Sequence, residues 1–402
     1  MTEAITAESQ RRAETGPLDG VRVLDLSTVV MGPLATQTLG DLGADVITIE
    51  TPIGDTNRFM GPGPHPDLSG VSMNLMRNKR SVVIDLKQEA GRAAFLRIAA
   101  TSDVVVTNLR PGALARLRLA YDDVVAVRPG LVYCQATGFP SDSSRADDPA
   151  YDDIIQSASG LGDLFMRLGS DPMLLPTLVA DKVCGLTVAG AVTAALFHRE
   201  RTGEGQRIEV PMIDVMRAFV LVEHGAGAVP VPALADAGYQ RILTIERRPR
   251  PTLDGWLSVL PYRRRDFRAL FTEGGRDDLH DDPRHAGRAQ RIKNSASLYR
   301  DVAAVLATRT NAFWLDFCRR EGIPATEVAT LDDLVAALPI EHHPIAGDYR
   351  SVPPPVRFGA SPATVRRPAP LIGEHGREVL TEIGYAPAEL DALERDGILG
   401  TR

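Results

Sequence analysis

The sequence predicts an α/β protein, with a parallel sheet covered by helices in its first half and a smaller α+β unit behind it. Two observations lead to this prediction. The first half of the chain alternates short β-rich runs with helical patterns, which is typical of parallel sheets. The length of 402 residues exceeds the size at which one hydrophobic core usually stops growing, so two domains are expected.

Strands and helices alternate through the first half. Strands are predicted at residues 21–26, 45–50, 81–85, 103–107, 131–136 and 206–210, in short runs with Val, Ile or Leu. Helical spacing continues through Leu39 and Leu42 after the first strand, and another helix is predicted over residues 88–100. A long helix is predicted from about Asp181 to Arg201, because Gly203 follows it as a stop signal.

The second half has a different texture. Gly, Ala and Pro cluster between His224 and Pro251, so a domain boundary is predicted there. Residues 252–325 are predicted to form the smaller unit, with a strand over 255–260 and a helix around 314–320. Residues 341–368 are proline-rich and expected to be irregular, and two terminal helices are predicted over 374–383 and 387–396.

Composition argues against several classes of protein. The net charge of −7 disfavours a general nucleic-acid binder. Cys134, Cys184 and Cys318 stand far apart, so neither a metal site nor a disulfide framework is predicted. Residues 1–16 are polar and are expected to form a flexible arm rather than a signal peptide. The longest apolar stretch, residues 183–197, is expected to be too short for a membrane span, and a cytoplasmic protein is predicted.

The opening strand–helix–strand pattern imitates a dinucleotide-binding domain, with Glu50 in the place of the acid that binds the ribose. That fold needs three glycines in its first turn, so that the backbone can approach the pyrophosphate. The turn here, residues 27–33, has one glycine and several β-branched residues. Binding of NAD or a flavin is therefore not predicted, and the residues alone indicate only an enzyme-like α/β protein.

An ordered set of motifs over residues 17–400 resembles the family III coenzyme A transferases. This family includes formyl-CoA and carnitine CoA-transferases together with the α-methylacyl-CoA racemases. The ordered set is far more specific than any single motif. Its main members are Leu18-Asp-Gly-Val-Arg-Val-Leu-Asp-Leu-Ser27, Leu42-Gly-Ala-Asp-Val-Ile47, Asn78-Lys-Arg-Ser81, Asn108-Leu-Arg-Pro-Gly112, Pro149-Ala-Tyr-Asp152, Thr202-Gly-Glu-Gly-Gln206 and Leu371-Ile-Gly-Glu-His375.

The resemblance implies that Asp181 is the catalytic residue. The family's catalytic aspartate lies just before a long helix that runs into a Thr-Gly-x-Gly-Gln turn. The matching segment here is Val179-Ala-Asp-Lys-Val-Cys-Gly185. From the residues alone the alternative is that Asp181 only caps the helix, because Asp is a favoured N-cap residue.

A carboxylate suits the chemistry that the resemblance implies. It can attack the carbonyl of an acyl-CoA thioester, giving a mixed anhydride and then an aspartyl-CoA thioester. The Asp181 carboxylate is expected to be ionised at neutral pH without help from a histidine. Backbone N–H groups near the start of the helix are expected to stabilise the oxyanion that forms at each attack.

The resemblance also implies a set of contacts with coenzyme A. They are Val29, Val30, Met31, Thr51, Leu75, Arg77, Asn78, Lys79, Asn108, Leu109, Arg110, Arg116 and Thr137. Among them Arg116 matches a family position that approaches the nucleotide phosphates, where a cation is expected.

This sequence departs from the family at two positions of that set. Thr51 stands where some relatives have arginine, and Thr137 where some have lysine. Arg77, Lys79 and Arg110 are expected to compensate for the missing cations. The alternative for each of these three is an ordinary surface charge.

Two other functions remain open at this point. Racemases of the family abstract the α-proton with a His and Asp pair, and Tyr151 and Asp152 stand at the place of their Gly-His-Asp motif. Tyrosine, with a pKa of about 10, is a poor base at neutral pH, so a transferase is favoured. The second alternative is a CoA-binding protein without turnover. The residues do not decide the role of Tyr151.

The resemblance implies a Rossmann-like large domain over residues 17–225 and a small domain over 226–328. The C-terminal segment, residues 329–402, is expected to return to the large domain. An interlocked homodimer is implied as well. The implied substrates are an acyl-CoA donor and a carboxylic acid acceptor of unknown identity, with coenzyme A as the group carried and no metal.

Overall fold

A computed structural model describes residues 16–400. These residues divide into two compact units, each described here by itself. Unit 1 contains the described residues up to Ser159, residues 174–218 and those from Leu338 onward, and unit 2 contains Gly160–Met173 and Phe219–Ala337. These units differ in their bounds from the predicted domains, 17–225, 226–328 and 329–402. Residues 160–173 and 219–225 group with unit 2, and the last boundary falls after residue 337. The predicted arm, residues 1–16, lies outside the described residues except for Gly16.

The described part of unit 1 is built on a seven-stranded sheet. Its strands are β1 (Arg22–Leu26), β2 (Asp45–Glu50), β3 (Lys79–Ile84), β4 (Val104–Thr107), β5 (Val132–Thr137), β6 (Arg207–Pro211) and β12 (Leu399–Gly400). The spatial order is β12-β3-β2-β1-β4-β5-β6, and all pairs are parallel except β12 with β3. The predicted α/β class with a parallel sheet is confirmed. The strand order reverses between β1 and β4, which is where open α/β sheets bind their ligands.

The central strands of this sheet are buried. Every residue of β3, β4 and β5 is buried, and Val and Ile suit such a pleated surface. One core layer of unit 1 combines strand residues with Phe95, Ile98 and Val379 from helices. The helices of unit 1 are α1 (Met31–Asp41), α2 (Gly70–Leu75), α3 (Glu89–Ala100), α4 (Pro111–Leu117), α5 (Tyr121–Val125), α6 (Asp152–Ala158), α8 (Val179–Thr202), α15 (Gly376–Glu382) and α16 (Pro387–Arg395).

Helix α8 packs closely on α1. A Cβ added at Gly185 of α8 would lie 2.6 Å from the backbone oxygen of Met31, so only glycine permits this approach. The helix ends at Gly203, whose φ of 79° is left-handed and therefore suits glycine. By length and composition α8, which is longer than the apolar stretch at residues 183–197, could cross a membrane. Half of the most apolar part of α8 is buried inside the protein, as in the core helix of a globular protein.

One segment of unit 1 differs from the prediction. Residues 341–368 are expected to be irregular, yet β10 (Ile340–His343) and β11 (Gly347–Arg350) form an antiparallel pair. The side chain of His343 is buried and its Nε2 lies 2.9 Å from the backbone oxygen of Ala369. The sequence shows no alternation strong enough to reveal such a short hairpin.

Unit 2 combines a small antiparallel sheet with helices. Its strands β7 (Arg250–Pro251), β8 (Trp256–Val259) and β9 (Ala325–Glu327) pair in that order. Its core contains Leu257, Phe271 and Trp314, and the indole nitrogen of Trp314 donates to the Leu306 backbone oxygen at 2.9 Å. The helices are α7 (Leu161–Arg167), α10 (Arg264–Glu273), α11 (Arg288–Lys293), α12 (Ser295–Leu306), α13 (Asn311–Glu321) and α14 (Leu331–Ala336), with α9 (Met212–His224) crossing the boundary between the units.

Candidate active site

A cavity of about 270 Å³ opens at the carboxyl ends of β1, β4 and β5, beside the point where the strand order reverses. Each of these strands contributes the residues that follow it, and α8 contributes Asp181. The lining residues are Thr28, Val29, Met31, Asn108, Leu109, Arg110, Ala113, Ala136, Thr137, Gly138, Asp148, Pro149, Ala150, Tyr151, Asp181 and Met212. This position in the fold is where a doubly wound sheet holds its ligand.

Asp181 lies in the first turn of α8 and is 8% exposed. No described residue donates a hydrogen bond to its carboxylate, so burial is not offset by a partner. Burial, helped by the negative charges of Asp152 and Asp153, raises the pKa of Asp181 from 3.8 to about 7. The expectation that this group is fully ionised at neutral pH is therefore corrected: near pH 7 a substantial fraction remains protonated.

A second carboxylate, Asp152, caps α8. Its Oδ1 accepts hydrogen bonds from the backbone N–H groups of Ala180 at 2.7 Å and of Asp181 at 3.1 Å. The N-cap residue itself is Leu178, which makes no capping bond with its side chain. The alternative that Asp181 only caps the helix was therefore wrong, because a residue from another helix satisfies these donors.

Asp152 is held in turn by Gln156, one turn later on α6. The Gln156 amide donates to Asp152 Oδ2 at 2.6 Å, and its oxygen accepts from the backbone N–H of Leu175 at 2.9 Å. Asp152 and Gln156 are both buried. The two side chains thus connect α6 to the segment before α8 and to the first turn of α8, which contains Asp181.

The start of α8 offers no free donors for an oxyanion. Val179 N–H donates to the Thr177 backbone oxygen at 2.7 Å, and the next two N–H groups donate to Asp152. Lys182 N–H already makes the helical bond to the Leu178 oxygen at 3.1 Å. The expectation that these backbone donors stabilise an oxyanion was wrong for this arrangement.

The turn after β1 is strained and firmly anchored. Val29 has a φ of 72°, an uncommon conformation for a β-branched residue, and its N–H donates to the Asp55 carboxylate at 3.1 Å. Burial raises the pKa of Asp55 to about 6. A Cβ at Gly32 would lie 2.2 Å from the Ser27 Cβ, so this glycine is required for the turn to close.

Asn108 joins the turns after β1 and β4. Its side-chain oxygen accepts from the Thr28 N–H at 2.9 Å, and its amide nitrogen donates to the Thr28 backbone oxygen at 2.8 Å. Both ends of the amide are therefore occupied by one backbone unit. This double contact fixes the two loops that form one wall of the cavity.

The structure brings six of the predicted coenzyme A contacts to the same cavity as Asp181. They are Val29, Met31, Asn108, Leu109, Arg110 and Thr137. The hydroxyl of Thr137 donates to the Phe139 backbone oxygen at 2.8 Å, and Arg110 donates to the Asp147 oxygen at 3.0 Å. Tyr151, at the racemase histidine position, also lines the cavity and is largely exposed.

Several lining residues were not predicted as site residues. Ala113, Gly138 and Met212 are small or apolar and carry no chemical signal in the sequence. A Cβ at Gly138 would lie 2.2 Å from the Ala150 Cβ, so the glycine lets the two loops meet. Their position directly after a strand, or one turn into the next helix, was the one signal available.

Other predicted contacts lie outside this cavity. Val30 and Leu75 are buried, and Thr51 is exposed with its hydroxyl donating to the Gly54 oxygen at 3.0 Å. Glu50, the residue that imitates a ribose-binding acid, is buried and paired with Arg58 at 2.5 Å. Neither Thr51 nor Glu50 contributes to the cavity wall.

Three further predicted contacts have side chains that are bonded to acids inside unit 1. Lys79 Nζ lies 3.0 Å from Asp25, and Arg77 lies 2.6 Å from Asp41, which also accepts from the Asn78 amide at 2.8 Å. Arg77, Asn78 and Lys79 are buried, so the alternative that Arg77 and Lys79 are surface charges was wrong. Their side chains are already occupied and give no geometric support to the prediction that they replace the missing cations.

Arg116 lines a separate groove of about 620 Å³ on the same unit. Lys87, Arg92 and Arg118 lie there with it, and the groove contains one acid, Glu89. Ala113 lines both this groove and the Asp181 cavity, so the two are adjacent. Within residues 16–400 there is no group of three or more His, Cys, Asp or Glu side chains that could hold a metal ion.

Comparison with known proteins identifies the family. CoA-transferase family III matches residues 18–376 of the chain. A succinate–glutarate CoA-transferase of Agrobacterium fabrum is 31% identical over 398 residues, covering 94% of this chain and 97% of that protein. A probable fatty acyl-CoA transferase of Mycobacterium tuberculosis is 32% identical over 379 residues, covering 89% of this chain and 96% of that protein.

A solved structure shows the same fold. The crystal structure of a CAIB/BAIF family protein from Brucella suis superimposes with a TM-score of 0.77 at 29% identity. The superposition covers 92% of this chain and 100% of the Brucella suis chain. The resemblance read from the motifs is confirmed: the chain belongs to CoA-transferase family III and is a CoA-transferase.

Proposed function

We propose that this CoA-transferase moves coenzyme A between carboxylic acids, with Asp181 as the group that reacts covalently. The observation that supports this most directly is a buried carboxylate on a cavity wall to which no described residue donates a hydrogen bond. The buried acids Asp25, Asp41 and Glu50 have cationic partners, whereas the oxygens of Asp181 accept no hydrogen bond from the described residues. A carboxylate in such a position is suited to nucleophilic attack.

The proposed reaction has four steps. Asp181 attacks the thioester carbonyl, the C–S bond breaks, and a mixed anhydride forms as the CoA thiolate leaves. The thiolate then attacks the aspartyl carbonyl, which releases the first acid as its carboxylate and leaves an aspartyl-CoA thioester. The incoming carboxylate attacks that thioester and frees the thiolate again. Attack of the thiolate on the new acyl carbon gives the product acyl-CoA and restores Asp181.

Protonation of Asp181 sets the pH range of the first step. Only the ionised form can attack, and its pKa of about 7 places the change within the neutral range. We therefore expect the rate of the first half-reaction to rise with pH, to reach half of its plateau near pH 7 and to level off above that pH. A cationic or hydrogen-bonding substrate group near the carboxylate would lower this pKa on binding.

Asp152 and Gln156 act as positioning residues in this scheme. Their hydrogen bonds fix the first turn of α8, and the Asp152 charge favours the protonated form of Asp181. Tyr151 supplies a hydroxyl at the exposed side of the cavity rather than a base. The Met31 and Met212 side chains supply apolar wall for the acyl or pantetheine chain.

Coenzyme A is proposed to run from the Asp181 cavity past Ala113 into the groove that contains Arg116. Arg110 stands at the cavity, while Lys87, Arg92, Arg116 and Arg118 offer cations for the phosphates. This path uses Val29, Met31, Asn108, Leu109 and Thr137 as wall. It does not use the side chains of Arg77, Asn78 and Lys79, which are occupied by internal partners.

The remaining features concern partners and substrates. Relatives act on short dicarboxylates by name, as in the succinate–glutarate transferase, so a small carboxylic acid is the proposed acceptor. The resemblance to the family implies an interlocked homodimer, and a partner subunit would cover exposed apolar side chains such as Phe197, Val222 and Leu331, whose exposed fractions range from 64 to 85%. A cytoplasmic location remains part of the proposal.

Intact-protein mass spectrometry tests the covalent step. The protein is incubated with a panel of acyl-CoAs and quenched with hydroxylamine or borohydride, beside an Asp181→Asn variant. We expect a mass change that maps to Asp181 and is absent from the variant. Asp148→Asn, which changes another acid of the same cavity, is the matched control and should keep the adduct. Transfer activity without any trapped adduct, or an adduct retained by Asp181→Asn, would contradict the proposed nucleophile.

A further inference from the structure

Unit 2 contains a small cavity of about 50 Å³ lined by three arginines and three tyrosines. They come from separate parts of unit 2: the loop before β7, the approach to α10, and α11 with α12. The six residues are Tyr239, Arg241, Tyr262, Arg288, Arg291 and Tyr299. The transferase chemistry proposed above uses none of them.

The positive charges at this cavity have no acid among the residues that line it. The acids of neighbouring segments are already paired with other arginines. Glu246 pairs with Arg250, Asp266 lies 3.0 Å from Arg263, and Asp301 lies 2.8 Å from Arg284. Three guanidinium groups around one space repel one another unless a negative charge joins them.

The guanidinium groups retain donors for such a charge. Arg241 lies over the ring of Tyr262, with 4.3 Å between its guanidinium carbon and the ring centre. Its guanidinium also interacts with the phenol oxygens of Tyr299 and Tyr239, which can accept from it and still donate their O–H groups. Arg291 gives one hydrogen bond, to the His285 backbone oxygen at 3.0 Å. Arg288 makes no hydrogen bond or ion pair with any residue in the described part of the chain. Guanidinium N–H groups and phenol O–H groups are the donors that bind oxyanions best.

The floor of the cavity is rigid enough to hold these donors in place. Tyr299 and Leu298 on α12 are buried, as is Phe267 on α10. Buried side chains in a packed core lose little additional freedom when a ligand arrives. The cavity volume exceeds the 10–15 Å³ that one water needs, yet it is far too small for a coenzyme A molecule.

We propose that this cavity is a binding site for a small oxyanion, either a short carboxylate or inorganic phosphate. Arg241, Arg288 and Arg291 neutralise the anion, and the phenol O–H groups of Tyr239 and Tyr299 complete its hydrogen bonds. If the anion is a short carboxylate, the occupancy of this cavity would depend on the concentration of the acids that the enzyme exchanges. Phosphate would instead couple it to the phosphate concentration of the solution.

Isothermal titration calorimetry on the full-length protein tests this site. Sodium phosphate, sodium sulfate and a short carboxylate such as acetate are titrated separately, with chloride keeping the ionic strength constant. We expect saturable binding, weakened about tenfold in Arg288→Gln because one charge-assisted contact is lost. Stronger binding of phosphate or of the carboxylate identifies which source of oxyanion the cavity prefers.

Arg319→Gln is the control, since Arg319 is an exposed arginine of the same unit that pairs with Asp316 and does not line the cavity. It should bind the anion as the unmodified protein does. Circular dichroism and the oligomeric state of each variant establish that it is folded. A crystal soaked in selenate should in addition show anomalous density between Arg241, Arg288 and Arg291. Binding that is equal in Arg288→Gln and the unmodified protein, or absent from both, overturns the proposal.

Discussion

Two regions of unit 1 bury carboxylates, and they treat them in opposite ways. Between the strands, Asp25 lies 3.0 Å from Lys79, and both side chains are fully buried. At the cavity, Asp181 is also buried but makes no ion pair with any residue from 16 to 400, and two other acids raise its pKa. The paired charge stabilises the sheet, whereas the carboxylate without a partner is the one that we propose to react.

The paired region explains why so many polar residues are found inside this fold. Asp25 accepts further hydrogen bonds from the Thr36 hydroxyl at 2.6 Å and from the Ser27 N–H at 3.1 Å. Glu50 is shared in the same way by Arg58 and by the Ser81 hydroxyl at 2.6 Å. These networks satisfy each oxygen, so they hold the loops after β1 and β2 without leaving a reactive group.

The largest effect should follow from removing the unpaired carboxylate. We expect Asp181→Asn to lower kcat for CoA transfer by about 10³-fold or more, because the amide cannot form the mixed anhydride. The dissociation constant for coenzyme A should change less than threefold, as measured by calorimetry. Asp148→Asn serves again as the control in the same cavity. A variant that keeps a tenth of the original kcat would remove Asp181 from the covalent role.

Removing one partner of the paired region should act on stability rather than on chemistry. We expect Lys79→Met to lower the free energy of unfolding by about 3–5 kcal/mol, because Asp25 is then left buried without its cation. Urea unfolding at one fixed protein concentration measures this.

The double variant Lys79→Met/Asp25→Asn is the matched control for that loss. It should recover part of the stability, since neither charge is then buried alone. If Lys79→Met costs less than about 1 kcal/mol, the ion pair contributes too little to support the contrast with Asp181.

The unpaired carboxylate should itself destabilise the fold at neutral pH. Its pKa is about 7 in the folded chain, above its ordinary value of 3.8. Between these values the folded state holds a proton that the unfolded chain has released, so stability falls as the pH rises through this window. The pKa difference corresponds to about 4 kcal/mol at most, and solvent in the open cavity reduces it to about 2 kcal/mol.

We therefore expect Asp181→Asn to be more stable than the unmodified protein by about 2 kcal/mol at pH 8, with almost no difference at pH 4. Urea unfolding at the two pH values measures this. Asp163→Asn, which removes an exposed acid, should show no such trend. Equal stability of Asp181→Asn and the unmodified protein at pH 8 would mean that the carboxylate has a partner in solution.

Strand positions and motif residues could be predicted from the sequence, whereas the ion-pair partners of the buried charges could not. Strands such as β2, residues 45–50, were predicted at their observed bounds, because buried Val and Ile runs between turns are a strong local signal. Asp181 and the Asn108–Arg110 segment were found through motifs. The partners of Arg77 and Lys79 were not, since they lie 36 and 54 residues away in the chain. Pairing at such separation depends on strand order, which local patterns do not contain.

The environment of Asp181 could not be predicted for the same reason. Its raised pKa follows first from burial and then from Asp152, which lies 29 residues earlier and reaches it only through the fold. In the sequence Asp152 marked a racemase motif that lacked its histidine. In the structure it is the cap of the helix that carries Asp181.

The smallest of these effects separates the two roles of Asp152. Replacing it with asparagine keeps an oxygen that can accept from Ala180 and removes the negative charge, so the helix cap is largely retained. Removing that charge should lower the pKa of Asp181, and the rise of kcat with pH should move to lower pH. Weaker positioning of the first turn should reduce the plateau of kcat by about tenfold.

Asp153→Asn is the matched control, because Asp153 also raises that pKa but makes no hydrogen bond to α8. It should move the pH profile slightly in the same direction and leave the plateau unchanged. A lower plateau with an unmoved profile in Asp152→Asn would reduce Asp152 to a cap alone, and the contrast between the regions would then rest on burial rather than on charge.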